Sequence, residues 1–132
     1  MTRAFLWITL VLATLVVVGV VLQAYFIASY AFGAGQDALD IHEGLGNAVH
    51  GIELLTFLAT IGAWWRRWWK IGLGFTLAVV GTAQIAFTEG DEAWVNGLHG
   101  LFAMIVFVLA AIIAHRAMRG LGLGRHGSPE SA

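Results

Sequence analysis

Residues 4–36 contain no charged side chain, and this run constrains the fold more than any other feature of the chain. A helix needs about 20 mostly apolar residues to cross a bilayer, so the run predicts a first span at residues 5–30. Of the 132 residues, 59% are hydrophobic and 11% are charged, whereas soluble domains are about 45–50% apolar and about 25% charged. The composition therefore predicts an integral membrane protein.

Three further apolar segments predict three more spans, at residues 44–65, 71–88 and 93–114. Short loops between such spans favour an all-α bundle of four transmembrane helices with up-down-up-down topology. We predict that this domain covers residues 1–119 and that residues 120–132 form a flexible cytoplasmic tail. An alternative interpretation takes the first span as a cleaved signal peptide, although its apolar run exceeds the roughly 7–15 residues usual for such a peptide.

The charged residues predict the orientation. All seven Lys and Arg residues lie at the N-terminus, between the second and third spans, or in the tail. Six of the eight acidic residues lie around the other two connections: Asp37, Asp40, Glu43, Glu89, Asp91 and Glu92. Basic loops of membrane proteins face the cytoplasm, so we expect a protein of the cytoplasmic membrane with both termini inside. Residues 64–70 mix tryptophans with cations and are typical of an interfacial turn.

Several classes of function are excluded by composition. A net charge of −1 gives no basic face for nucleic acid. The chain has no cysteine, which excludes disulfides, thiol catalysis, cysteine-ligated zinc and iron–sulfur clusters. No nucleophile or soluble catalytic domain is recognisable, so no catalytic activity of its own is expected.

The second span carries its polar side chains on one face. At 100° per residue, five of them fall within a sector of about 120°, namely His42, His50, Glu53, Thr56 and Thr60. Polar groups in membrane helices normally face the bundle interior, so this face is predicted to line it. Glu53 is expected to be neutral, hydrogen-bonded to an imidazole, or part of a proton path.

The two halves of the chain resemble each other. Residues 47–51 and 96–100 both read Asn-x-x-His-Gly, and Gln23 late in the first span corresponds to Gln84 late in the third. These glutamines are candidates for a hydrogen-bonding or proton-conducting role. His50 follows the acid Glu43 by seven residues, and His99 follows Glu92 by seven. The two imidazoles are therefore predicted to lie at one depth.

Two facing histidines suggest a cofactor. Diagonal helices of a four-helix bundle are about 11–14 Å apart, given neighbour distances of about 8–10 Å. That gap suits a flat metal macrocycle, and histidine is a common ligand of haem iron. We therefore predict a b-type haem between His50 and His99, with Gly46, Gly51 and Gly100 leaving room for the porphyrin. The protein would carry electrons within a larger redox complex or as a homo-oligomer.

Two other functions stay open. His42, Glu43, His50 and His99 could bind copper or zinc, with the acidic loops attracting the ion. Alternatively, the chain is a structural or assembly subunit without a cofactor, in which the polar face only fixes helix packing. The sequence leaves open whether a quinone binds near Glu53.

Three short motifs carry a family resemblance. They are Gln23 with Ile27-Ala28, Ile41-His42-x-x-x-Gly46 and Leu98-His99. In these the chain resembles small four-span membrane proteins of bacteria and archaea whose function is unknown. It is more distantly similar to the haem-binding four-helix halves of haem A synthase and to other cytochrome b-like bundles. The resemblance implies iron ligands from the second and fourth helices and points to His42 as the second-span ligand, whereas depth favours His50.

Overall fold

A computed structural model describes residues 2–87 and 93–123. In these ranges the regular structure is four helices: α1 Thr2–Ala31, α2 Gln36–Ala63, α3 Trp68–Ala86 and α4 Ala93–Gly120. All four are long and apolar enough to cross a membrane. The predicted all-α class and the number of helices are therefore confirmed.

Some sequence predictions fall outside the described residues. They concern the end of the third span at Thr88, the acids Glu89, Asp91 and Glu92, and residues 124–132 of the tail.

The helix α2 extends well beyond its apolar segment. It begins at Gln36, directly after a turn in which Gly33 and Gly35 have φ angles of 92° and 91°. Glycine adopts such angles without the steric cost that a Cβ would add. Asp37, Asp40 and Glu43 consequently lie on the first turns of α2 rather than in a loop.

The helices pack in a ring. α1 contacts α2 and α4, and α3 contacts the same two helices. Fully buried apolar side chains come from several helices, among them Val16, Leu77, Val106 and Ile113. Many large apolar side chains remain exposed on the outside, as Leu58, Phe75 and Met104 illustrate. Such an apolar exterior fits a surface surrounded by lipid.

Contacts near the helix ends show which ends meet. Phe5 at the start of α1 lies against Gly62 near the end of α2. Leu6 lies close to Gly120 at the end of α4, and Arg116 of α4 lies over Trp69 in the first turn of α3. These contacts bring the start of α1 close to the ends of α2 and α4, and the end of α4 close to the start of α3.

The contact between α1 and α2 depends on Gly19. This residue is buried, and a Cβ added there would overlap Cγ2 of Val49. Small residues permit this kind of close approach between membrane helices. We expect Gly19→Ala to lower the free energy of unfolding by about 1–3 kcal/mol, as overpacking of a core does.

Thermal unfolding in detergent measures this effect. Adding Val49→Ala to the Gly19→Ala variant should recover part of the loss. Gly44→Ala is the matched control, because a Cβ at Gly44 meets nothing within 4 Å. Equal unfolding temperatures for wild type and Gly19→Ala would contradict the prediction.

Candidate functional site

Two histidine rings from different helices meet inside the bundle. The ring centroids of His42 on α2 and His99 on α4 are 6.2 Å apart, and the ring planes make an angle of 68°. Both residues are half-buried. Of the two candidates on α2, it is thus the ring of His42 that lies near the ring of His99.

Each ring is fixed by a backbone carbonyl of the preceding helix. Nδ1 of His42 lies 3.0 Å from the carbonyl oxygen of Gln23, and Nδ1 of His99 lies 3.1 Å from that of Gln84. A carbonyl only accepts hydrogen bonds, so each Nδ1 must carry the proton and donate it. In the neutral rings, Nε2 then keeps a free lone pair that can bind a proton or a metal.

The position of Gln84 explains why its carbonyl is available. Gln84 lies in the last turn of α3, which ends at Ala86, and carbonyls at the end of a helix commonly accept hydrogen bonds from groups outside it. The backbone N–H of Phe87 donates to the same oxygen at 3.2 Å. A carbonyl oxygen has two lone pairs, so it accepts from His99 as well.

The arrangement repeats in the two halves of the chain. In the first half, His42 of α2 donates to the carbonyl of Gln23 of α1, and in the second half, His99 of α4 donates to the carbonyl of Gln84 of α3. Both glutamines are buried, with 6% of Gln23 and 9% of Gln84 exposed. The correspondence between the glutamines was visible in the sequence. The structure extends it to His42 and His99, whereas the Asn-x-x-His-Gly match pairs His50 with His99.

The side chains of the two glutamines differ in their surroundings. A Cβ added at Gly46 would lie 2.7 Å from Nε2 of Gln23, so Gly46 makes room for this amide. Oε1 of Gln84 is buried and has no hydrogen-bond partner among the described residues. A buried acceptor without a donor costs about 1–3 kcal/mol. Oε1 of Gln84 is therefore an unused acceptor on α3, the helix that packs against the His99 helix α4.

The other glycines predicted to leave room for a porphyrin are open. Gly51 and Gly100 are exposed, and a Cβ added at either would meet nothing within 4 Å. Because both residues are exposed, the open space beside them lies at the surface of the bundle.

His50 has a different partner. Its Nδ1 lies 3.1 Å from Oε2 of Glu53, whose side chain is 3% exposed while that of His50 is 20% exposed. The structure contains the hydrogen bond to an imidazole that was one of the expectations for Glu53. A Cβ added at Gly81 of α3 would overlap Oε2, so Gly81 creates the space that the carboxyl group occupies.

The polar face of α2 continues beyond Glu53 as buried hydroxyl groups. Thr56 and Thr60 are fully buried. Their Oγ1 atoms donate to the carbonyls of Ile52 and Phe57, at 2.7 and 2.6 Å. These hydroxyl groups are therefore satisfied within their own helix.

The described residues contain no group of three or more His, Asp or Glu side chains placed to hold a metal ion. Glu43, which the copper or zinc interpretation requires as a ligand, is exposed on α2. What the site offers to a metal is the pair of Nε2 atoms of His42 and His99.

Comparison of the chain with protein-family models, with curated proteins and with solved structures finds no match.

Proposed function

We propose that this protein is a small b-type haem protein of the membrane, in which His42 and His99 would hold the iron. The distance between the two rings carries the proposal. A metal lies about 2.0–2.1 Å from an imidazole nitrogen, and this nitrogen lies about 1.1 Å from the ring centre. Two imidazoles that share one metal can therefore have centroids about 6.2–6.4 Å apart. The observed distance of 6.2 Å fits this spacing and also lies within the range of about 4.5–7 Å of an edge-to-face ring pair.

The hydrogen bonds of the rings support the same function. Metal-binding histidines usually donate their other ring N–H to a carbonyl or a carboxylate, which fixes the ring and makes the ligand more basic. The carbonyls of Gln23 and Gln84 accept in this way from His42 and His99. Two histidines whose Nδ1 atoms both donate to backbone carbonyls thus fit the donor set of a haem with two histidine ligands.

A haem held by His42 and His99 would serve electron transfer. A bound haem supplies a centre that accepts and releases one electron. The chain itself holds both rings in place and surrounds them with apolar helices. We propose that its electron partner is a larger redox complex or a second copy of the chain.

We further propose an up-down-up-down bundle in the cytoplasmic membrane with both termini inside. The meeting of helix ends described above and the concentration of cations at that end support this arrangement. The haem would then lie toward the opposite, outer side.

The two histidine–carbonyl hydrogen bonds also favour a second function. They connect α1 with α2 and α3 with α4. A structural subunit without a cofactor also needs such connections between its helices. Helix pairing of this kind contributes about 0.6–2 kcal/mol per hydrogen bond.

A visible absorption spectrum separates the two functions. We expect the protein purified in detergent from haem-supplied cells, or titrated with hemin, to show a Soret band with one haem per chain. Reduction should give split α and β bands, and the ferric form should be low-spin by electron paramagnetic resonance. A colourless protein that takes up no hemin would overturn the haem proposal. Copper or zinc near one per chain in that protein would instead favour the metal-ion site.

A further inference from the structure

Cations gather at the end of the bundle where α2 turns into α3. The described residues contain six Lys and Arg side chains: Arg3, Arg66, Arg67, Lys70, Arg116 and Arg119. All four described acids lie on α2, and within residues 2–87 and 93–123 none of them forms an ion pair with Lys or Arg. This end, called the basic end below, thus has no carboxylate partner of its own in the described structure.

Aromatic rings hold two of these cations in place. The guanidinium carbon of Arg116 lies 4.4 Å from the ring centre of Trp69. Nζ of Lys70 lies 5.5 Å from the ring centres of both Trp64 and Trp69. A cation over an indole face keeps its charge and most of its hydrogen-bond donors. Both side chains are therefore positioned for an anion.

Arg66 has an unusual backbone conformation. Its φ angle is 68°, and among the described residues it is the one residue other than glycine with a positive φ. Glycine adopts this conformation freely, whereas a residue with a Cβ does so at a steric cost. The turn thus places an exposed arginine where a glycine would fit more easily, and such an outlier points to a role of the side chain.

Arg66 also borders an apolar groove. The groove has a volume of about 220 Å³ and is lined by Phe57, Ile61, Trp65, Trp68 and Ile71 together with Arg66. Arg66 is the one charged residue of this lining. An apolar groove beside a cation without a counterion matches a molecule that joins a hydrocarbon chain to an anionic group.

We propose that Arg66 and this groove bind an anionic phospholipid of the surrounding bilayer. The phosphate pairs with the guanidinium of Arg66, which can bind it through two parallel N–H donors. An acyl chain lies in the groove, and Lys70 and Arg116 add positive potential at the headgroup. This site is independent of the haem proposal, because it lies at the basic end and uses none of the haem ligands.

Spin-labelled lipids measure the selectivity of the site. The full chain is reconstituted in phosphatidylcholine vesicles, and electron paramagnetic resonance gives the fraction of labelled lipid immobilised by the protein. We expect labelled phosphatidylglycerol to associate more strongly than labelled phosphatidylcholine. Arg66→Gly should reduce this preference about fivefold, the effect typical of one basic residue near an anionic surface.

Arg66→Gly suits the test because it relieves the backbone strain, so we expect its thermal unfolding temperature to equal or exceed that of wild type. Arg3→Gln and Arg119→Gln remove the same charge elsewhere at the basic end and should each change the preference less than twofold. Equal losses in all three variants would show a diffuse surface charge and overturn the site. A wild-type protein without preference for phosphatidylglycerol would also overturn it and would favour an acidic protein as the partner of this surface.

Discussion

Replacing either His42 or His99 with alanine is expected to abolish the low-spin haem spectrum. Each variant removes one of the two proposed axial ligands, and neither ring has a described substitute at the same position. Loss of a residue that merely supports a metal ligand already costs about 10–100-fold in affinity. We therefore expect hemin to bind each variant more than about 100-fold more weakly than wild type, as measured by titration at the Soret band.

His50→Ala is the matched control for these variants. His50 lies on the same helix as His42 and is also half-buried, but its ring contacts Glu53. We expect this variant to keep the split α and β bands. Added imidazole should partly restore the low-spin spectrum of His42→Ala, because it can occupy the space of the lost ring.

The opposite pattern would contradict the assignment of the ligands. If His50→Ala lost the spectrum while His42→Ala kept it, the pair would be His50 and His99, as the depth argument predicts. Circular dichroism should show the same helix content in all three variants, so that a loss of haem is not attributed to unfolding.

The sequence predicted the four helices because charge-free runs of bilayer length permit little else. It could not choose between His42 and His50, because both lie on one face of α2 and are separated by about two turns. The depth argument counted residues from Glu43 as if that acid ended a loop. In the structure Glu43 lies inside α2, and the ring near that of His99 belongs to His42.

Contacts between helices were harder to predict from the sequence than the helices themselves. Nothing in the sequence connects Gly81 with Glu53, because their proximity depends on how α2 and α3 are rotated against each other. Gly46 was interpreted as space for a porphyrin, whereas the structure places the amide of Gln23 against it. A glycine in a helix thus signals a close approach without naming the group that approaches.

The close contact between Gly81 and the carboxyl group of Glu53 leads us to expect the largest loss of stability from Gly81→Ala. Gly81 is buried on α3, and a Cβ there would overlap Oε2 of Glu53 and lie 2.7 Å from its Cδ. Glu53 is only 2% exposed, so the displaced carboxyl group would have to move within packed surroundings and give up its hydrogen bond to His50. Overpacking costs about 1–3 kcal/mol, and a lost hydrogen bond between membrane side chains costs about 0.6–2 kcal/mol.

We therefore expect Gly81→Ala to lower the free energy of unfolding by about 2–5 kcal/mol, the sum of these two effects. Gly72→Ala on the same helix is the control, since a Cβ at Gly72 meets nothing within 4 Å. Exchanging glycine for alanine in an open helix position stabilises it by up to about 1 kcal/mol. Denaturant unfolding in detergent should place the two variants on opposite sides of wild type.

A double-mutant cycle with Glu53→Ala assigns the cause. Removing the carboxyl group vacates the space that the new Cβ needs, so Gly81→Ala should cost less than about 1 kcal/mol in the Glu53→Ala background. An equal cost in both backgrounds would mean that the alanine disturbs the backbone packing of α2 and α3 instead. The cycle thus tests whether the absence of a side chain at Gly81 is what allows the protein to keep a carboxyl group inside the bundle.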